Sequence, residues 1–201
     1  MVRHTTVAAA GLMLGALAGC QSGGVSPPAG PAPTATATGT AAPGGSGTGG
    51  STSPRDPGTK ITGGQIGATV DLTGNADGEK IAVQLVAVYD PATPLDSSSA
   101  PAQGDRLIAF EFTFTNVGTS VYNDQPTGDA TLVDAAGDER IAATSEVAAG
   151  AEMEYVTILQ PGQSSTGFIN FEVPRSWHST SIRIILDGQF APDEGTWQLP
   201  G

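Results

Sequence analysis

Three kinds of side chain in this 201-residue chain could do chemistry: one cysteine, two histidines and twenty carboxylates. Cys20 is the single thiol, so the chain can form no internal disulfide, and what remains for that sulfur is nucleophilic chemistry. His178 is the one histidine beyond the amino-terminal segment. A serine hydrolase needs a nucleophile, a base and an orienting acid brought together in space. The neighbours in Ser176-Trp177-His178-Ser179 supply none of that evidence and predict a turn between two strands. No Cys/His cluster exists to hold zinc or copper. The carboxylates are the remaining candidates. Asp124, Asp129, Asp134, Asp138 and Glu139 fall within 16 residues, and calcium takes about six to eight oxygens from such loop groups. Their spacing matches no EF-hand, and Asp is also favoured in turns because it binds its own backbone. The sequence therefore predicts no catalytic residue and no cofactor, with these five acids as weak calcium ligands.

The thiol has a specific context. Arg3 and His4 precede Val7–Leu17, an apolar run of 11 residues. That is too short for a bilayer core, which needs about 20 residues, and it suits the hydrophobic region of a signal peptide. The run ends in Leu17-Ala18-Gly19-Cys20, which resembles the lipobox of bacterial lipoproteins. The small side chains of Ala18 and Gly19 let the backbone enter a narrow protease site, and the thiol can take a diacylglyceryl group as a thioether. The resemblance implies cleavage before Cys20 and acylation of the new amino group. Each buried CH₂ contributes about 0.8 kcal/mol, and two or more acyl chains anchor stably where one does not.

Residues 1–19 thus read as a lipoprotein signal peptide and 20–60 as a lipidated Cys followed by a linker. The linker is almost wholly Gly, Pro, Ser, Thr and Ala. It offers nothing to offset the entropy of ordering, so disorder is expected. Some 40 residues of such coil reach about 35 Å root-mean-square.

The pattern changes at Ile61, which opens a predicted domain over 61–201. Short apolar runs with period two alternate with Gly, Pro, Asp and Asn. Ile81, Val83, Leu85, Ala87 and Tyr89 share one face of a strand that Asp90-Pro91 is expected to stop. Ile108, Phe110, Phe112 and Phe114 share one face of the next, which ends at Asn116-Val117-Gly118. Further runs fall at Thr131–Asp134, Arg140–Ala142, Tyr155–Leu159, Gly167–Val173, Ile182–Leu186 and Trp197–Leu199. Seven to nine short strands at this spacing predict an all-β, Ig-like antiparallel sandwich. Packing alone must hold its sheets, chiefly through the three Phe with Phe171 and Trp177.

The order of these segments resembles a secreted Ig-like domain of unknown function carried by actinobacterial lipoproteins, similar in fold to a mycobacterial immunoprotective extracellular antigen. The matching features are Asp105–Gly118 with its Asn-x-Gly ending, the Leu132-Val133-Asp134-Ala135-Ala136-Gly137 hairpin, and Leu159-Gln160-Pro161-Gly162 followed by Gly167-Phe168-Ile169-Asn170-Phe171-Glu172-Val173-Pro174. They cover about residues 62–188. The polar insertion Pro91–Gly104 and the acidic tail with Trp197 depart from the pattern. The resemblance implies a fold and carries no catalytic content.

The formal net charge of −12 disfavours nucleic acid and anionic headgroups, which demand clustered Lys and Arg. The expectation is a non-enzymatic module at the extracytoplasmic face of the cell membrane. It would be anchored through Cys20 and bind or brace an envelope protein or polymer. The alternative is a ligand- or metal-ion-binding accessory of a transporter or sensor.

Overall fold

A computed structural model describes residues 55–201. The signal segment, the lipobox Leu17, Ala18, Gly19 and Cys20, and most of the linker lie outside the described residues.

Residues 55–201 form an all-β sandwich of antiparallel sheets. The larger sheet is built on β3 (Lys80–Ala92) and β4 (Asp105–Asn116). β9 (Ser164–Pro174) flanks β4, while β1 (Gly58–Ile61) and β2 (Thr69–Thr73) share the far side of β3. The facing sheet runs β11 (Gly195–Gln198), β10 (Ser179–Ile184), β6 (Ala130–Asp134), β7 (Glu139–Ile141). A two-stranded ribbon of β5 (Tyr122–Asp124) and β8 (Thr157–Leu159) completes the described strands. Two four-residue turns of helical hydrogen bonding, α1 (Pro126–Asp129) and α2 (Leu186–Gln189), lead into β6 and out of β10. The described residues hold eleven strands against an expected seven to nine. The additions include β1 and β5, too short to display a period-two pattern.

Period two places Ile108, Phe110, Phe112 and Phe114 on the inner face of β4, and all four are buried in the main core. Phe110 meets Phe171 edge-on at 5.5 Å, and Phe114 stacks on Tyr122 at 6.4 Å. Phe112 touches Trp197 of the opposite sheet at 5.5 Å in a T-shaped pair. Trp197 is fully buried, and its indole N–H donates to the Ala68 carbonyl at 3.0 Å. The run at Trp197–Leu199 forms the edge strand β11, over Gly195–Gln198, and supplies a central core residue.

The alternation predicted for β3 breaks at one point. The ladder to β4 shifts between Leu85 and Ala87, a β-bulge that reverses which residues face inward. Val88 replaces Ala87 and Tyr89 in the main core, and Tyr89 turns to the outer face of the sheet. There it joins a second cluster of Ala92, Leu107, Ala109, Val147 and Phe168, with its ring 6.0 Å from that of Phe168. β3 also continues through Asp90-Pro91 instead of stopping. Another register shift between Tyr89 and Ala92 accommodates the missing proline N–H. The Arg106 guanidinium grips the Asp90 carboxylate with two bonds, at 2.6 and 3.0 Å. It also donates to the carbonyls of Pro174, Arg175 and Trp177, tying this end of the sheet to the β9–β10 connection.

Asn116 explains the Asn-x-Gly ending of β4. Its Oδ1 accepts the Gly118 N–H at 3.0 Å, which forms the turn. Its amide donates at 2.8 Å to the carbonyls of Ser120 and Leu159, so one buried side chain fastens the turn to β8. Replacing Asn116 by Ala strands the Leu159 carbonyl and should lower unfolding free energy by about 1–3 kcal/mol in urea titrations.

Candidate functional site

The fold separates the five sequence-predicted acids into two groups. Asp134, Asp138 and Glu139 belong to the β6–β7 hairpin. Asp134 Oδ1 accepts the N–H groups of Ala136 and Asp138 at 2.8 and 2.9 Å, and Glu139 pairs with Arg183 at 2.7 Å. These side chains close a turn and brace a sheet face. Asp124 and Asp129 lie at the opposite end of β6, against α2. Among the described residues, no three His, Cys, Asp or Glu side chains converge as a metal-holding group. His178 lies exposed in the connection between β9 and β10, as the sequence predicts.

Asp124 and Asp129 are organised by a backbone feature the sequence analysis missed. Asp187, Gly188 and Gln189 adopt φ of 57°, 64° and 72°, a left-handed turn that is uncommon outside glycine. This conformation aims successive N–H groups at acids. The Asp187 N–H donates to Asp124 Oδ2 at 2.6 Å and the Gly188 N–H to Asp129 Oδ1 at 2.9 Å. Asp187 Oδ2 in turn accepts the Asn75 N–H at 2.6 Å. The only sequence signal for this turn is the Asp187-Gly188 dipeptide, which favours positive φ. Leu186, expected to extend a strand, instead begins the turn.

Asp129 is 1% exposed, and an ionised Oδ2 would have no donor. Burial pushes its pKa up to about 9, with a hydrogen bond to Asp124 and repulsion from Asp124 and Asp187 adding to the shift, while the Gly188 N–H opposes it. At neutral pH Asp129 therefore carries a proton and donates it to Asp124. Burial also raises the Glu79 pKa, with the charges of Asp187 and Asp124 contributing. Tyr122 is driven well above the ordinary phenol range by burial and by the same carboxylates, so it stays neutral. The arrangement holds a proton on a buried carboxyl beside the partly exposed Asp124.

A second site lies along the free edge of β9. Two segments cover that edge. The Ala143 N–H donates to the Asn170 carbonyl at 2.7 Å. The Phe168 N–H donates to the Ala151 carbonyl at 3.0 Å, and the Phe168 carbonyl accepts the Met153 N–H at 2.9 Å. Gly167 is required by this approach, because a Cβ there would sit 2.6 Å from both Cα and N of Met153. Beside the covered edge lies a cavity of about 420 Å³. Ile141, Ala142, Ala143 and Thr144 line it with Glu152, Met153, Tyr155, Phe168 and Asn170, and Gln125, Thr127 and Gly128 complete the wall. Ile141 and Tyr155 are 79% and 70% exposed, unusual for such side chains. Asn170 is 2% exposed. Its amide N–H₂ donates to the Ser145 carbonyl at 2.8 Å and to Glu152 Oε1 at 3.2 Å, and its Oδ1 has no partner. Sequence reasoning passed over Asn170, whose one signal is a polar residue between Ile169 and Phe171.

No family model matches the sequence, and no curated protein matches it. Solved structures do resemble the fold. The yjhA protein of Bacillus subtilis is similar at 12% identity and a TM-score of 0.50, over 67% of this chain and 98% of that one. MPT63, a secreted protein of Mycobacterium tuberculosis, is 15% identical with a TM-score of 0.47, over 68% of this chain and 95% of its own. The B. subtilis protein ycdA, described as a candidate lipoprotein, is 14% identical with a TM-score of 0.47, over 67% of this chain and 39% of that one. At these identities the likeness to yjhA concerns the sandwich architecture alone. Among the described residues no helix is long and apolar enough to cross a membrane.

The protonated Asp129 sets a sign for stability against pH. Its folded pKa of about 9 exceeds the ordinary 3.8, so the native state retains a proton that the unfolded chain releases. This contribution is full below about pH 4 and is lost as pH rises towards 9, at up to about 1.4 kcal/mol per pH unit. Glu79 acts in the same direction. Asp129→Asn keeps a donor to Asp124 and an acceptor for Gly188 without needing that proton. It should raise stability at pH 8 relative to pH 5 when both proteins are unfolded in urea.

Proposed function

We propose that this chain is a lipid-tethered, extracytoplasmic binding module of the cell envelope. In this reading Cys20 carries the membrane anchor, the residues between it and β1, which begins at Gly58, form the spacer, and the sandwich receives a ligand or a partner's side group in the cavity beside β9. The observation that carries the binding role is that cavity. It has the size of small-molecule sites, an apolar and aromatic lining, and a buried carbonyl oxygen of Asn170 without a hydrogen-bond partner. Buried polar groups are nearly always paired, and Asn170, a residue of the lining, holds one that is not. The reading is non-catalytic, supported by a sequence in which no nucleophile, base and orienting acid fall in a recognisable pattern. The Leu17-Ala18-Gly19-Cys20 motif supports the tether, since the chain's single cysteine falls where a lipobox requires it. An envelope protein or polymer is the natural source of the bound group.

Two experiments test the two halves. Mass spectrometry of the protein from native membranes should find a mature chain beginning at an acylated Cys20, and Cys20→Ser should shift the protein out of the membrane fraction. An unmodified thiol on a mature chain would refute the tether. For the cavity, 2-phenylethanol should give saturable amide shifts at Ala143, Phe168 and Asn170 by NMR. Thr144→Trp, which fills the wall from an exposed position, should weaken that binding by roughly tenfold, about 1.4 kcal/mol. Unchanged binding in that variant would place the ligand elsewhere.

A further inference from the structure

We infer that the cavity beside β9 selects an organic cation, an ammonium or guanidinium group on an apolar body. This rests on the reading of that cavity as a binding site. Glu152 is the single acidic side chain in the lining, and no Lys, Arg or His lines it. Glu152 has no ion-pair partner among the described residues; its contact is the Asn170 amide at 3.2 Å.

The orientation of Asn170 is determined by its surroundings. Its N–H₂ faces two acceptors, the Ser145 carbonyl and Glu152. Turning the amide over would set its oxygen against both, so the oxygen must occupy the side that lacks a donor. The charged group of the cavity is thus the Glu152 carboxylate, with spare lone pairs, near the unpaired Asn170 oxygen; Gln125, Thr127, Thr144 and Tyr155 add neutral groups that can donate or accept. The carboxylate and the Asn170 oxygen both ask for N–H donors, and the carboxylate asks for positive charge. An ammonium carries three donors and no acceptor, and a guanidinium five. A carboxylate or phosphate ligand would find only neutral donors, on Gln125, Thr127, Thr144 and Tyr155, and would face the Glu152 charge.

Two further features point the same way. Phe168 and Tyr155 line the cavity, and aromatic faces attract cations. The net charge of −12 concentrates cations around the whole molecule and repels anions. The apolar contacts of Ile141, Met153 and Phe168 hold the body of the ligand while Glu152 and Asn170 take its charged end.

A charge series on one scaffold tests the assignment: 2-phenylethylammonium, 2-phenylethanol and phenylacetate, titrated into the protein and followed by the amide resonances of Ala143, Phe168 and Asn170. The cation should bind roughly tenfold more tightly than the alcohol, as expected for one charge-assisted contact. Phenylacetate should bind most weakly of the three. Glu152→Gln keeps an acceptor for Asn170 and should bring the cation-to-alcohol affinity ratio towards one. Alcohol binding with no preference for the cation, or a preference that survives Glu152→Gln, would overturn this inference and leave the cavity as a neutral site. Failure of all three probes to saturate would remove the binding site itself.

Discussion

β4 is the strand on which the rest of the molecule depends. Its inner face carries Ile108, Phe110, Phe112 and Phe114, all excluded from water. Burial of a large apolar side chain contributes roughly 1.5–3 kcal/mol, and these four form one continuous ridge. No cysteine occurs among residues 55–201, so no covalent bond joins the sheets. The contact of Phe112 with Trp197 joins the two sheets by packing instead. On its other side β4 carries Leu107 and Ala109, which found the second apolar cluster. One strand therefore serves two cores. The hydrogen bonds of Arg106 at its start and Asn116 at its end hold it in register with the loops.

The path from sequence to candidate site runs through the bulge in β3. By reversing phase after Leu85, it sends Tyr89 to the outer face, where Phe168 and Val147 need a partner. That cluster gives residues 143–153 a surface on which to lie. Once they lie there, their backbone meets β9 at Asn170 and Phe168, and the cavity forms beside the junction. The small residues of this region have a common reason. Gly167 admits the crossing backbone, and a Cβ at Gly150 would come within 2.6 Å of the Phe168 ring.

The aromatic ridge of β4 was legible because a strict alternation admits one reading. The phase of β3 was not. In Leu85-Val86-Ala87-Val88-Tyr89 every residue is apolar or amphipathic, so period two fits either face, and only the ladder to β4 decides. The hairpin at Asp134–Gly137 was readable from its turn chemistry. The carboxyl pair was half readable. Asp124 and Asp129 are close in sequence, but the left-handed turn that holds them comes from about 60 residues further on, and topology alone makes that meeting. Asn170 was hidden for a related reason. Its side chain gains meaning from Ser145 and Glu152, in a stretch with no periodic signal of its own.

The covered edge of β9 has a consequence for crowding. β9 is an outer strand of the larger sheet, eleven residues long, with one row of main-chain groups turned away from β4. An uncovered row of that length is a template on which another chain can add a strand. Here Ala143 and the Ala151–Met153 stretch already occupy its middle, leaving only the ends open. At high local concentration, another copy could not add a strand along that occupied stretch. The same crossing backbone that shapes the cavity thus also guards the middle of this edge against strand addition.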